Sequence, residues 1–237
     1  MYSGPNMGGK STLLRQTCLL IILAQIGCFV PAEECMITPI DKIFTRLGAL
    51  DRILLRQSTF FVELAETTAA LRGATRRSLV IMDELGRGTS TFDGTAIASA
   101  TVRHLVENNK CLSLFATHYH SLLDEWKENK FVRLGHMECI VDDKGNKEED
   151  AEIDNKITFL YTLGVGSCPR SFGINVASLA LLPEEVLSKA KRISSDYEIK
   201  INSVGRMDAV SHMKEIKKAL LHKNWELIER YWENLQE

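Results

Sequence analysis

Lys10, Ser11, Asp83, Glu84 and His118 are the residues whose types and settings suit chemistry on a polyphosphate. Lys10 and Ser11 close the run Gly4-Pro5-Asn6-Met7-Gly8-Gly9-Lys10-Ser11-Thr12, which fits the pattern G-x-x-x-x-G-K-[ST]. A triphosphate needs a concave array of donors, and Gly4, Gly8 and Gly9 let the backbone curl until its N–H groups face phosphate oxygens. A helix starting near Lys10 adds free amides and the positive end of its dipole. Lys10 then reaches the outer phosphates as a point charge, and Ser11 offers its hydroxyl to Mg²⁺.

The second pair follows Ser78-Leu79-Val80-Ile81-Met82, which has the length and β-branching of a buried parallel strand. Two carboxylates at its end, Asp83 and Glu84, are costly to hold there without a cation. The natural division of labour puts Asp83 on Mg²⁺ and has Glu84 orient and deprotonate the attacking water. Cys111 to Ala116 reads as another buried strand, ending in Thr117-His118, so His118 faces the same crevice and could sense the γ-phosphate or the water. Ser58-Thr59 opens a helix that stops at Gly73. Ser58 suits an N-cap there, the reading that spacing favours, and beside free helix amides it could also be an anion site.

The elements that must position these groups follow from periodicity. Ser11 to about Gly27 is apolar on nearly every face, which predicts a helix buried between layers. Phe29 to Pro31 and Met36 to Pro39 read as short extended pieces, and Lys42 to Leu47 as a strand. Gly86 to Thr91 is a small-residue loop, with Asp93 expected to cap a helix from Gly94 to about Glu107. Val132 to Val141 and Ile157 to Leu163 alternate with period two, an antiparallel hairpin around an acidic solvated loop from Asp142 to Asp154. Ser171 to Leu181 and Pro183 to about Tyr197 are expected helices, with Pro183 at the first helical position of the second. Met207 to Glu237 carries apolar residues at helical spacing, open to packing on its own domain or on a partner. A P-loop normally follows a buried strand, yet only Met1, Tyr2 and Ser3 precede Gly4, so that strand is expected to be truncated and the chain to be the C-terminal piece of a longer protein.

The 237 residues are 45% hydrophobic and 25% charged, the balance of an ordinary globular protein with ample core. A net charge of −2 lacks the basic footprint of a module that grips nucleic acid by itself. Six scattered cysteines without a C-x-x-C pair read as reduced thiols of a cytosolic or nuclear protein. The Leu19 to Ile26 run is too short for a membrane span, and a soluble intracellular protein with no membrane partner is expected.

Taken together, these motifs resemble the C-terminal ATPase domain of the MutS family of DNA mismatch-repair proteins. The carrying segments are Gly4 to Thr12, Ser-Thr-Phe at Ser58 to Phe60 with Glu63 following, the block Asp83 to Gly94, and Thr-His-Tyr at Thr117 to Tyr119. The likeness runs from Gly4 to about Tyr197 and is strongest to the eukaryotic homologue that recognises mismatches within a heterodimer.

The resemblance implies an α/β P-loop NTPase of the ABC type, with a mostly parallel central sheet, a β-hairpin and C-terminal helices. It divides the chain into an ATPase domain over 1–165, a helical dimer-contact part over 166–198 and a helical tail over 199–237. It implies ATP and Mg²⁺ as ligands, held by Gly4 to Thr12 with Ser11 and Asp83 on the metal and Glu84 and His118 at the reaction. Ser58 and Thr59 would complete the nucleotide site of a second MutS-homologue subunit. Hydrolysis would switch a nuclear dimer between mismatch-searching and sliding-clamp states, with mismatched duplex DNA held by domains missing from this chain. A meiotic MutS homologue, a P-loop kinase and a non-hydrolysing nucleotide-binding module are the alternatives. The kinase needs an arginine-rich lid, whereas Arg72, Arg76 and Arg77 cluster before the strand.

Overall fold

The computed structural model describes residues 1–48, 58–141, 157–168, 171–197 and 199–200. The loop expected from Asp142 to Asp154 and the helical stretch expected from Met207 to Glu237 lie outside them.

In chain order the elements are β1 (Tyr2–Ser3), α1 (Lys10–Gln25), β2 (Ile43–Arg46), α2 (Thr59–Gly73), β3 (Leu79–Asp83), α3 (Thr91–His104), β4 (Leu112–Ala116), α4 (His120–Trp126), β5 (Gly135–Val141), β6 (Ile157–Val165) and α5 (Gly173–Leu179). A single π-type turn, Leu105–Asn109, follows α3. The strands form one sheet in the order β2-β3-β4-β1-β5-β6, parallel except for the antiparallel pair of β5 and β6. This is the mostly parallel α/β sheet with a hairpin at its edge that the motifs imply. Two compact units divide the chain, Met1–Val176 and Ala177–Glu237, and the sheet belongs wholly to the first. In the second, residues 184–197 are helical.

Side-chain alternation along β3 builds the core on both faces of the sheet. Leu79 and Ile81 meet Leu14 and Cys18 of α1 on one side. Val80 and Met82 meet residues of α2, α3 and α4 on the other, including Ala70, Ala98, Val102 and Leu122. These four residues of β3 are at most 2% exposed, so the strand delivers Asp83 to the crevice from a rigid base. Phe44 packs so closely on the end of α2 that a Cβ at Gly73 would lie 2.8 Å from its ring.

Several local expectations are corrected. β1 is present as two residues, paired parallel to both β4 and β5, so the P-loop does follow a central strand, a very short one. α1 is not buried all round: it rests on one face of the sheet, and Leu19, Ile22 and Ile26 are 60%, 46% and 68% exposed. Helix α3 is capped by Ser90 rather than Asp93. The Ser90 hydroxyl accepts from the Asp93 N–H at 3.2 Å and donates to its carboxylate at 2.9 Å, the reach of a cap to the third helical residue. Pro183 stands at the N-cap, not the first helical position, since its carbonyl accepts from the Val186 and Leu187 amides. The pieces at Phe29 to Pro31 and Met36 to Pro39 join no strand. β5 begins at Gly135 instead of Val132, and α4 was not anticipated, because its seven residues hold too few apolar positions to show a period.

Candidate functional site

The short strand β1 launches the loop Gly4 to Gly9 from the middle of the sheet. The loop curls because Gly4 sits at φ +134, Met7 at φ +68 and Gly9 at φ +94, with the Gly8 N–H donating to the Pro5 carbonyl at 3.1 Å. A side chain at Gly4 could not be accommodated without displacement, since its Cβ would lie 3.1 Å from the Met137 backbone nitrogen. Gly9 is the N-cap of α1 and brings no side-chain cap, which leaves the first amides of the helix available to an anion.

Lys10, 6% exposed, folds back into its own loop and donates from Nζ to the carbonyls of Gly4 at 2.8 Å and Pro5 at 3.1 Å. Burial holds its pKa below the ordinary lysine value, and the charges of Glu84 and Asp83 partly oppose that shift. One residue on, Ser11 Oγ donates to Asp83 Oδ2 at 2.5 Å across 72 positions of sequence. The other carboxylate oxygen, Asp83 Oδ1, is buried and has no hydrogen-bond partner. The opening turn and the acidic strand end therefore share one place.

Around them lies a cleft of about 780 Å³, lined by Pro5, Asn6, Met7, Gly9, Lys10, Ser11, Thr12, Asp83 and Glu84 among others. Gly4 and Gly8 shape the loop without lining this cleft, although Gly4 lines a neighbouring cavity of about 230 Å³ with His118, Thr117 and His120. Asn6, Glu84 and Arg87 line both spaces.

Glu84 takes a left-handed backbone, φ +54, with its N–H on the Ala116 carbonyl at 2.9 Å. That turn at the end of β3 aims its carboxylate at the crevice, where it accepts from Arg87 at 2.6 Å. His118 stands at the end of β4, exposed, its ring 4.2 Å from that of Tyr119. Partial burial pulls its pKa below the usual 6.5, and Glu84 pulls the other way. The imidazole is thus neutral at pH 7 and able to accept or donate one hydrogen bond.

Ser58 is the N-cap of α2, its hydroxyl accepting from the Phe61 N–H at 3.1 Å, and it is exposed outside the cleft lining. Thr59 beside it does line the cleft. The cap and the anion contact remain compatible, since a hydroxyl oxygen used as an acceptor keeps its own proton to donate.

The sequence reading missed Arg46, Met137 and Tyr161, and it held Gly86 and Tyr119 only as members of family motifs, without a role. Arg46 ends β2 beside Met82 of β3, a charge at a strand terminus, the same signal that singles out Asp83. Its guanidinium meets Glu63 at 3.0 Å, and Glu63 had entered only as part of a family motif. Met137 and Tyr161, from the hairpin, close the cleft over Gly9, whose Cβ would lie 3.3 Å from the Tyr161 ring. Nothing local to their own segments marks those two; pairing of β1 with β5 brings them there.

The model of a family described as MutS domain V matches residues 1–198. The chain is 57% identical over 204 residues to the DNA mismatch repair protein Msh6 of Gallus gallus, covering 86% of this chain and 15% of that protein. It is 58% identical over 198 residues to Msh6 of Homo sapiens, covering 84% and 14%. The DNA mismatch repair protein MSH3 of Pyricularia oryzae is 48% identical over 204 residues, covering 84% and 18%. The chain thus spans less than a fifth of the length of these curated relatives.

Proposed function

The chain belongs to the MutS family of DNA mismatch-repair proteins, and from that membership we propose that it binds and hydrolyses ATP with Mg²⁺ as the nucleotide switch of a mismatch-repair dimer. The observation that carries the proposal is the buried, unpartnered Asp83 Oδ1 beside the Ser11 hydroxyl at the start of α1. A buried carboxylate oxygen without a donor costs about several kcal/mol unless a cation meets it. A hydroxyl and a carboxylate are the oxygen donors a hard divalent ion takes. Ser11 and Asp83 would hold Mg²⁺, which when bound neutralises charge on the outer phosphates.

The chain's own residues supply the rest. Backbone amides of the loop Gly4 to Thr12 cradle the phosphates, and Lys10 exchanges the Gly4 and Pro5 carbonyls for phosphate oxygens, whose charge opposes the lowering of its pKa by burial. Glu84 leaves Arg87 to orient a water and takes its proton as the water oxygen bonds to the γ-phosphorus. The bond from that phosphorus to the bridging oxygen breaks, and ADP and phosphate result. His118, neutral and across the shared cavity wall, holds the water or the γ-phosphate by one hydrogen bond.

Ser58 and Thr59 complete the site of a second MutS-homologue subunit, for which the exposed N-terminus of α2 provides a hydroxyl and free amides. ATP occupancy moves the full dimer between mismatch recognition and a sliding clamp on DNA, in the nucleus. Duplex DNA is held by parts of the protein outside this chain, in keeping with its near-neutral charge.

Phosphate release by the full-length protein with its partner, assayed with and without Mg²⁺, tests the proposal. Release should require Mg²⁺ and no acceptor; transfer of phosphate to an added nucleoside or small-molecule acceptor instead would favour a kinase.

A further inference from the structure

The loop that carries Glu84 is gripped from behind by a buried ionic relay that the proposed reaction does not use. Glu63, one turn inside α2, accepts from Arg46 at 3.0 Å through Oε2 and from the Gly86 N–H at 2.5 Å through Oε1. The Arg46 and Glu63 side chains are only 8% and 5% exposed. On the next peptide unit of the same residue, Tyr119 donates its hydroxyl to the Gly86 carbonyl at 3.0 Å. Gly86 is pinned sterically as well. At φ +91 it lies so close to α3 that its Cβ would stand 2.5 Å from the Gly94 carbonyl oxygen, and a Cβ at Gly88 would stand 2.9 Å from Phe60 Cβ of α2.

A buried ion pair does little for stability on average, because desolvation offsets the attraction. This one spends half of its carboxylate on a loop amide two residues after Glu84. Glu84 itself has a left-handed backbone and would relax if the next two peptides were free to turn.

We propose that Glu63 is a positioning residue for hydrolysis: anchored by Arg46, it holds the peptide before Gly86 while Tyr119 holds the one after, and so keeps the Glu84 carboxylate at the cleft. Because Glu63 and the Ser58 cap share α2, the same contact ties the exposed end of that helix to the loop of this chain's own site. This inference rests on the reading of Glu84 as the group that activates water.

The test compares Glu63→Gln, which keeps shape and removes charge, with the wild type in the full-length protein, each paired with a partner whose own nucleotide site has been disabled so that kcat reports this chain's site. Expected is a kcat lower by on the order of 10- to 10²-fold with KM for ATP within about twofold, since misplacing a catalytic group acts on the chemical step. Placed on Glu84→Gln, the same change should lower kcat no further. Should Glu63→Gln not fold, Tyr119→Phe, which removes only the hydroxyl on Gly86, decides by the same two readouts. An unchanged kcat, a rise in KM that accounts for the loss, or a loss that adds in full to that of Glu84→Gln would overturn the proposal. Failure of the hydrolytic reading itself looks different: Glu84→Gln alone would then leave turnover unchanged.

Discussion

His118 illustrates how one residue's surroundings set its chemistry. Its partial burial lowers the pKa from 6.5, and the nearby Glu84 charge limits the fall. Between the lowered value and 6.5 the unfolded chain binds more protons than the fold, so stability contributed through His118 rises with pH across that window. Below it both states are protonated and the full penalty stands. An NMR titration of the His118 ring should give a midpoint under 6.5, and Glu84→Gln should move it lower still. A midpoint at or above 6.5 would mean that burial does not govern the ring.

Residues such as Lys10, Ser11, Asp83 and Glu84 were legible in the sequence because each sits at a fixed offset within a motif whose chemistry demands that type. Arg46 was not, and Tyr119 appeared only as a motif member without a role, because what both do depends on which strands become neighbours. Ser90 was overlooked for a smaller reason: Asp93 and Ser90 are both good caps, and only the start of α3 decides between them.

Among elements, the close pair of the loop after β3 and the N-terminal turn of α3 sets the tightest constraint. Gly86 at φ +91 and Gly94 approach until neither tolerates a Cβ, each lying within 3 Å of the other's backbone. Gly86→Ala should therefore cost at least about 1–3 kcal/mol from backbone strain and overlap together. In a thermal unfolding scan the midpoint should fall by several degrees, roughly 2–4 °C per kcal/mol for a domain of this size. A variant melting with the wild type would remove the contact as a constraint.

The same scale shows what patterning conveys. β3 was recognisable as a continuous apolar run because both of its faces are covered; β4 was read as buried too, yet only Phe115 and Ala116 are, and Leu112 is exposed. The exposed apolar residues of α1 break that logic: composition alone could not tell a helix between two layers from one lying on a single sheet face. β1, with two residues, is too short to have a pattern at all.

At the scale of the molecule, the proposed dimer with its two nucleotide sites would make separable demands on this chain. Ser58→Asp keeps a cap as good as serine and places a negative charge where a partner's phosphate would lie. In a heterodimer whose Lys10 has been replaced by Ala, the remaining phosphate release comes from the partner's site. Adding Ser58→Asp should lower that release by at least about tenfold, given the several kcal/mol that like charges cost at close range. Release that is unaffected would confine Ser58 to capping α2.

The central claim is that one triphosphate is held between the loop Gly4 to Thr12 and the acidic end of β3, with Glu84 poised to activate water. The most direct measurement is ATP turnover by Glu84→Gln in the full-length dimer, made alongside a binding titration of ATP with Mg²⁺. Binding should match the wild type while turnover at this chain's site falls by about 10² to 10⁴. Turnover equal to the wild type at that site, with ATP bound normally, would contradict it.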